Sequence, residues 1–154
     1  KVTSFLRDCQ LEVNRELRKV QKSGAYAKSI NLLCSIPGIG LITAVTLLSE
    51  IEDFRRFKNL DSFCSYVGLI PTTNSSGEHD RTGRITPRSN KPIRSVIIES
   101  AWTATRNDPA LAKKFNDLCK RMESNKAIIR IAKKLLSRMR SVMVNEKHYE
   151  YSIA

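Results

Sequence analysis

Ser35-Ile36-Pro37-Gly38-Ile39-Gly40, followed by Thr43 and Ala44, carries the sharpest chemical signal in the 154-residue sequence. Proline fixes φ and the glycines permit conformations barred to other residues, so the run reads as a tight turn. Helical sequence lies on both sides of it. A Gly-rich turn at a helix N-terminus exposes backbone N–H groups to an anion, and in a helix-hairpin-helix that anion is a DNA phosphate, held without base readout. Pro37, Gly38, Ile39, Gly40 and Thr43 are therefore candidate DNA contacts. An ordinary helix-helix turn is the alternative.

A second group lies downstream: Ser75-Ser76-Gly77, then His79, Asp80, Arg81, Arg84, Arg88, Lys91 and Arg94. A serine hydroxyl attacks a phosphodiester only if it is deprotonated and the charge on the phosphate is neutralised. The five basic residues can neutralise that charge. Turn chemistry alone would also account for two serines before a glycine. Ser76, His79 and Asp80 do not read as a hydrolytic triad, because residues three and four apart on one loop cannot easily align. No cluster of carboxylates is present that could hold a pair of metal ions, and no cofactor is expected in this chain. Cys9, Cys34, Cys64 and Cys119 are too widely spaced for a zinc site and read as reduced thiols, mostly core filler.

Twenty-seven Lys and Arg against fifteen Asp and Glu give a net charge of +12, the balance of a partner for a polyanion. A solvated basic surface is the bland alternative. The charge concentrates at the two ends, with seven basic against three acidic residues over 1–30 and twelve against five over 101–154. No apolar run reaches the roughly 18 residues of a membrane span, and no signal peptide opens the chain, so a cytosolic protein without a membrane partner is expected. The sequence begins without Met in helix-like residues, as a piece of something longer would.

Helices must position these groups. Phe5, Leu6, Cys9, Val13, Leu17 and Val20 form a narrow stripe over 3–22, as in a coiled-coil-like arm. A second helix spans 26–35, a strongly apolar one 41–51, and a short one 60–67 capped from Asn59 or Asp61. Residues 68–90 turn to Pro, Thr, Asn, Ser, Gly and Arg and read as a long loop or irregular hairpin. Pro92 and Pro109 each sit where a helix starts. The first of these helices carries Ile93, Val96, Ile97, Ala101 and Ala104; the second buries Leu111, Phe115, Leu118 and Met122. A last helix, about 125–144, buries Ile128, Ile131, Leu135, Met139 and Val142 and turns Lys126, Arg130, Lys133, Lys134 and Arg138 outward. Trp102 reads as core before it reads as a base-stacking platform, and His148 as solvated. The basic faces of the last two helices suit phosphate or RNA contact as well as they suit solvent.

Five elements occur in a fixed order: Ile36-Pro37-Gly38-Ile39-Gly40, Tyr66-Val67-Gly68-Leu69-Ile70-Pro71, Asn74-Ser75-Ser76-Gly77, Gly83-Arg84-Ile85-Thr86, and Asn90 with Ile93-Arg94 leading to Ala101-Trp102. Together, over about residues 30–140, they resemble the C-terminal transposase domain of the insertion-sequence one-ten family, which includes the Piv/MooV invertases. The resemblance implies a preceding coiled-coil connector and an N-terminal RuvC-like domain whose four acidic residues hold divalent metal, Mg²⁺. That domain is not in this sequence, and residues 1–22 resemble the end of the connector.

In the family a serine shortly after Gly-Leu-x-Pro and directly before a glycine is the nucleophile of strand exchange. The resemblance assigns that role to Ser76, with Ser75 one step away. The family's usual Gly-x-Ile-Ser/Thr-Lys-x-Gly-Asn run reads here Gly83-Arg84-Ile85-Thr86-Pro87-Arg88-Ser89-Asn90; Pro87 and Ser89 replace Lys and Gly, and Arg84, Arg88 and Lys91 can restore the charge. It further implies double-stranded DNA as partner, a homo-oligomer, and in some members an element-encoded guide RNA.

An all-α fold is therefore expected: a helical arm over 1–24, a helix-hairpin-helix-containing domain over 25–145 with one long loop or short β-hairpin, and a tail over 146–154. DNA recombination in a bacterial cytosol is the expected function, with Ser76 catalytic and no strand cleavage by this piece alone. A non-catalytic repair-type DNA-binding module would explain the turn and the charge but not the 68–90 segment. A basic RNA-binding protein is a second rival.

Overall fold

A computed structural model describes residues 2–76, 79–85 and 89–151, with residues 71–76 and 79–85 described at the level of the backbone. The chain runs α1 (Val2–Lys22), α2 (Ala27–Cys34), α3 (Leu41–Ile51), a turn of 3-10 helix (Phe54–Arg56), α4 (Leu60–Val67), β1 (Pro71–Ser76), β2 (His79–Ile85), α5 (Lys91–Asn107), α6 (Pro109–Cys119) and α7 (Ser124–Asn145). Among the described residues the fold is all-α apart from one β-hairpin, and of the loop and the hairpin that the sequence allowed over 68–90, a hairpin pairs 71–76 with 79–85.

Local chemistry sets the helix boundaries. Asn59 caps α4 by accepting from the Ser62 N–H at 2.8 Å, while the Ser62 hydroxyl accepts from the Asn59 N–H at 3.4 Å, a reciprocal capping box. Gly68 then ends α4 in the left-handed conformation, φ 79°. Asn90 caps α5 through the Ile93 N–H at 3.2 Å, and Asp108 caps α6 through Leu111 at 3.0 Å, each followed by proline in the first turn.

α5, α6 and α7 pack on one another, α7 also meets α2 and α4, and α3 bridges α2 to α5. The shared core joins Leu33, Leu47, Ile51, Phe63, Ile97, Ala101, Ile131, Leu135 and Met139. Each large aliphatic or aromatic side chain fully buried there contributes about 1.5–3 kcal/mol. Phe63 anchors an aromatic cluster, edge-on to Phe54 at 5.6 Å and stacked with Phe57 at 4.6 Å.

Three details differ from the sequence expectations. Only Cys64 is buried; Cys9 and Cys34 are half-buried and Cys119 exposed, so the thiols are not mainly core filler. Phe115 and Met122 are half-buried, because Phe115 lies at the rim, edge-on to Trp102 at 5.4 Å. Arg138 does not face solvent with Lys126, Arg130 and Lys134, because its guanidinium binds the buried carboxylate of Asp108 at 2.6 Å, and Lys133 is half-buried. α1 has no buried residue among those described, and Val2, Phe5, Leu6, Leu11, Val13 and Val20 are exposed along it. No helix among the described residues is long and apolar enough to cross a membrane.

Candidate nucleic-acid interface

The turn between α2 and α3 divides into a structural half and an open half. Pro37 and Ile39 are buried. Gly38 has φ 90°, and a Cβ there would meet the Ser100 carbonyl oxygen at 2.4 Å and the Ala104 nitrogen at 2.8 Å. Gly38 is therefore glycine because α5 presses on it, and not because a ligand must approach it. Gly40 is the reverse case. It is exposed, a Cβ would meet nothing within 4 Å, and it stands as N-cap of α3 with no side-chain cap. The uncapped first-turn N–H groups of α3, with Thr43 half-buried in that turn, form the part of this run that an anion can reach.

The hairpin is antiparallel, with Pro71 opposite Ile85, Thr73 opposite Thr82, Asn74 opposite Arg81, Ser75 opposite Asp80 and Ser76 opposite His79, and an irregularity between Pro71 and Thr73. Ser76 is thus the last residue of β1, and Arg81 and Arg84 lie on β2. Arg88 lies outside the described residues. Lys91 is exposed at the start of α5. Arg94 is half-buried, and its Nη1 donates to the Gly68 carbonyl at 3.5 Å.

The root of the hairpin is tightly built. A Cβ on Gly68 would stand 2.0 Å from Ser89 Cβ, so only glycine lets the two ends meet. Ser89 Oγ is buried there without a hydrogen-bond partner among the described residues. The Asn90 N–H reaches the Tyr66 carbonyl at 3.4 Å, the Asn90 side-chain amide donates to Glu50 Oε2 at 2.9 Å, and the Tyr66 hydroxyl donates to the Glu50 carbonyl at 3.0 Å. The Arg56 guanidinium lies 4.6 Å from the Tyr66 ring centroid.

Sequence reasoning missed the cluster around Asp108, which is 2% exposed. Its carboxylate caps α6, binds Arg138, and accepts from the Tyr149 hydroxyl at 2.9 Å. Burial pushes its pKa up, but the Leu111 N–H, the Tyr149 hydroxyl and Arg138 outweigh that and hold it below the usual value. Burial and the Asp108 carboxylate push Tyr149 up to about 12. The Tyr149 N–H in turn donates to Ser35 Oγ at 2.9 Å, so residues expected as a tail tie α6 and α7 to the residue that opens the Pro37–Gly40 turn. His148 is exposed, as expected. The exposed cations of α6, α7 and the turn between them include Lys113, Lys114, Arg121, Arg130 and Lys134, while Lys120 pairs with Asp117 and Lys126 with Glu123.

Residues 30–116 match the Transposase IS116/IS110/IS902 family. The chain is 33% identical over 90 residues to putative transposase y4qE of Sinorhizobium fredii, covering 58% of this chain and 23% of that protein. It is 31% identical over 121 residues to the insertion element IS110 uncharacterized 43.6 kDa protein of Streptomyces coelicolor, covering 77% and 30%. It is 26% identical over 127 residues to the transposase for insertion sequence element IS1111A of Coxiella burnetii, covering 80% and 34%. The chain thus spans about a quarter to a third of the length of these curated relatives. With the family match covering more than half of its residues, and the Pro37–Gly40 turn and the 71–85 hairpin both inside it, the chain belongs to the IS116/IS110/IS902 transposase family.

Proposed function

We propose that the chain is the DNA-handling C-terminal part of an insertion-sequence transposase, in which the N-terminus of α3 holds a phosphate of duplex DNA and Ser76 attacks a phosphodiester. The observation that carries the reading is the division of the turn: Gly38 is packed on α5, whereas Gly40 is open and its helix end uncapped. In a chain of +12, that end and the exposed cations of α5, α6 and α7 suit a polyanion. Membership of a transposase family favours this over a repair-type binding module.

In the proposed step, Ser76 Oγ loses its proton and attacks phosphorus. A serine–phosphate ester forms, the phosphorus–oxygen bond to the sugar breaks, and the leaving deoxyribose oxygen takes up a proton. Arg81, Arg84, Arg88, Lys91 and Arg94 are the proposed sources of positive charge around that phosphate. Among the described residues there is no group of three or more His, Cys, Asp or Glu that could bind a metal ion. We place the Mg²⁺ implied by the family in the RuvC-like domain outside this sequence. The same resemblance suggests a homo-oligomer and, for some members, a guide RNA.

Gly40→Val tests the phosphate site. It should lower duplex affinity about tenfold, the loss of one charge-assisted hydrogen-bond contact of about 1.5 kcal/mol, while circular dichroism stays unchanged. Unchanged affinity with unchanged dichroism would leave the turn a purely structural one.

A further inference from the structure

One helix links the two halves of the proposed site. The N-terminus of α3 is the open phosphate end at Gly40, and its C-terminal turn carries Glu50, which meets the hairpin root. Ten residues of helix hold these points about 15 Å apart as a rigid spacer.

Glu50 engages both ends of the root. Its carboxylate accepts from Asn90, the last residue before α5, and its carbonyl accepts from Tyr66, two residues before Gly68. The orientation of the Asn90 amide is fixed independently, because its Oδ1 is committed to the Ile93 N–H as helix cap, which leaves Nδ2 to donate to Glu50. Gly68 and Ser89 press together beside it, and Arg94 holds the Gly68 carbonyl. Closure of the root is thus set by backbone and packing, whereas its attachment to α3 runs through Glu50.

We propose that Glu50 is a positioning residue: through Asn90 it fixes the hairpin against α3, and so fixes the reactive strand end relative to the DNA phosphate held at Gly40. This rests on the reading of Ser76 as nucleophile. Asn90→Asp keeps the α5 cap, since a carboxylate caps as well as an amide, but it sets two carboxylates against each other. Adding Glu50→Gln to that variant restores the bond with donor and acceptor exchanged.

The experiment compares wild type, Asn90→Asp and the double variant Glu50→Gln/Asn90→Asp. In the complete transposase, Asn90→Asp should slow formation of the Ser76–DNA adduct roughly 10- to 100-fold, the cost of a misplacement of about 1 Å. Duplex affinity should stay within about threefold, since the phosphate contact lies at the far end of α3. The double variant should recover most of the rate. An adduct rate unaffected by Asn90→Asp, or a double variant as slow as the single, overturns the proposal.

Amide hydrogen exchange across 71–85 of this chain separates the two readings. Release of the root should speed it about tenfold in Asn90→Asp and restore it in the double variant. If wild type forms no adduct but exchange follows this pattern, the nucleophile reading fails and the Glu50 brace stands; equal exchange in all three overturns the brace.

Discussion

At the scale of single residues, Ser75 and Ser76 are successive residues at the end of β1, and the proposed reaction distinguishes them. Ser76→Ala in the complete transposase should abolish the covalent protein–DNA adduct and recombination together. It should cost duplex affinity no more than about 0.5–1.5 kcal/mol, the net worth of one neutral hydrogen bond. Ser75→Ala should be mild. Peptide mapping checks the assignment, and attachment at Ser75 or at Thr86 would refute it.

Asp108 is the residue on which stability should depend most sharply. Asp108→Asn leaves Arg138 half-buried without its anion and should cost about 3 kcal/mol, the low end for breaking a buried pair, measured by denaturant unfolding. The sign of the pH dependence follows from the two shifts. The Asp108 pKa is lowered by folding, so its contribution is present above about pH 4 and is lost as pH falls below that. Tyr149 is raised to about 12, so its contribution is complete below about pH 10 and is lost between there and about pH 12. Little of this was legible in the sequence. Asp108 reads as the residue before a helix-starting proline, but nothing local links it to Arg138 and Tyr149, which meet it only through the packing of α7 on α6.

At the scale of elements, the helices were legible because each carries an apolar period, and α4, α5 and α6 also carry a side-chain cap at their start. Asn59, Asn90 and Asp108 sit where caps were needed, and the stripes of α5 and α7 point into the core as their spacing required. The hairpin was less legible: Pro71 to Ile85 lacks the apolar alternation that marks a half-buried strand, and its ends are closed by Gly68 against Ser89, a contact between residues 21 apart. The turn was legible as a turn, but the roles of its glycines were not, since the reason for Gly38 lies on α5. Gly38→Val should therefore act on folding. It should destabilise by at least about 3 kcal/mol through overpacking and a strained φ, read as a fall in thermal midpoint, in contrast to Gly40→Val. A midpoint equal to wild type would contradict the packing of the turn on α5.

At the scale of the whole molecule, the excess of cations was plain in the composition, but the structure sorts them. Arg138 is engaged by Asp108, Arg55 and Lys28 by Glu146, and Arg140 by the carbonyls of Phe57 and Lys58. Lys91, Lys113, Lys114, Arg121, Arg130 and Lys134 remain exposed. No linear pattern separates the two groups, because their partners come from distant elements. The proposed contact with DNA, through such exposed cations and one helix end, would engage phosphates and displace their counterions. The most direct test is the salt dependence of duplex binding by this chain. Engagement of about four phosphates predicts an affinity loss of roughly 100-fold between about 50 and 200 mM salt, with little dependence on sequence. Equal affinity at the two salt concentrations would contradict the account.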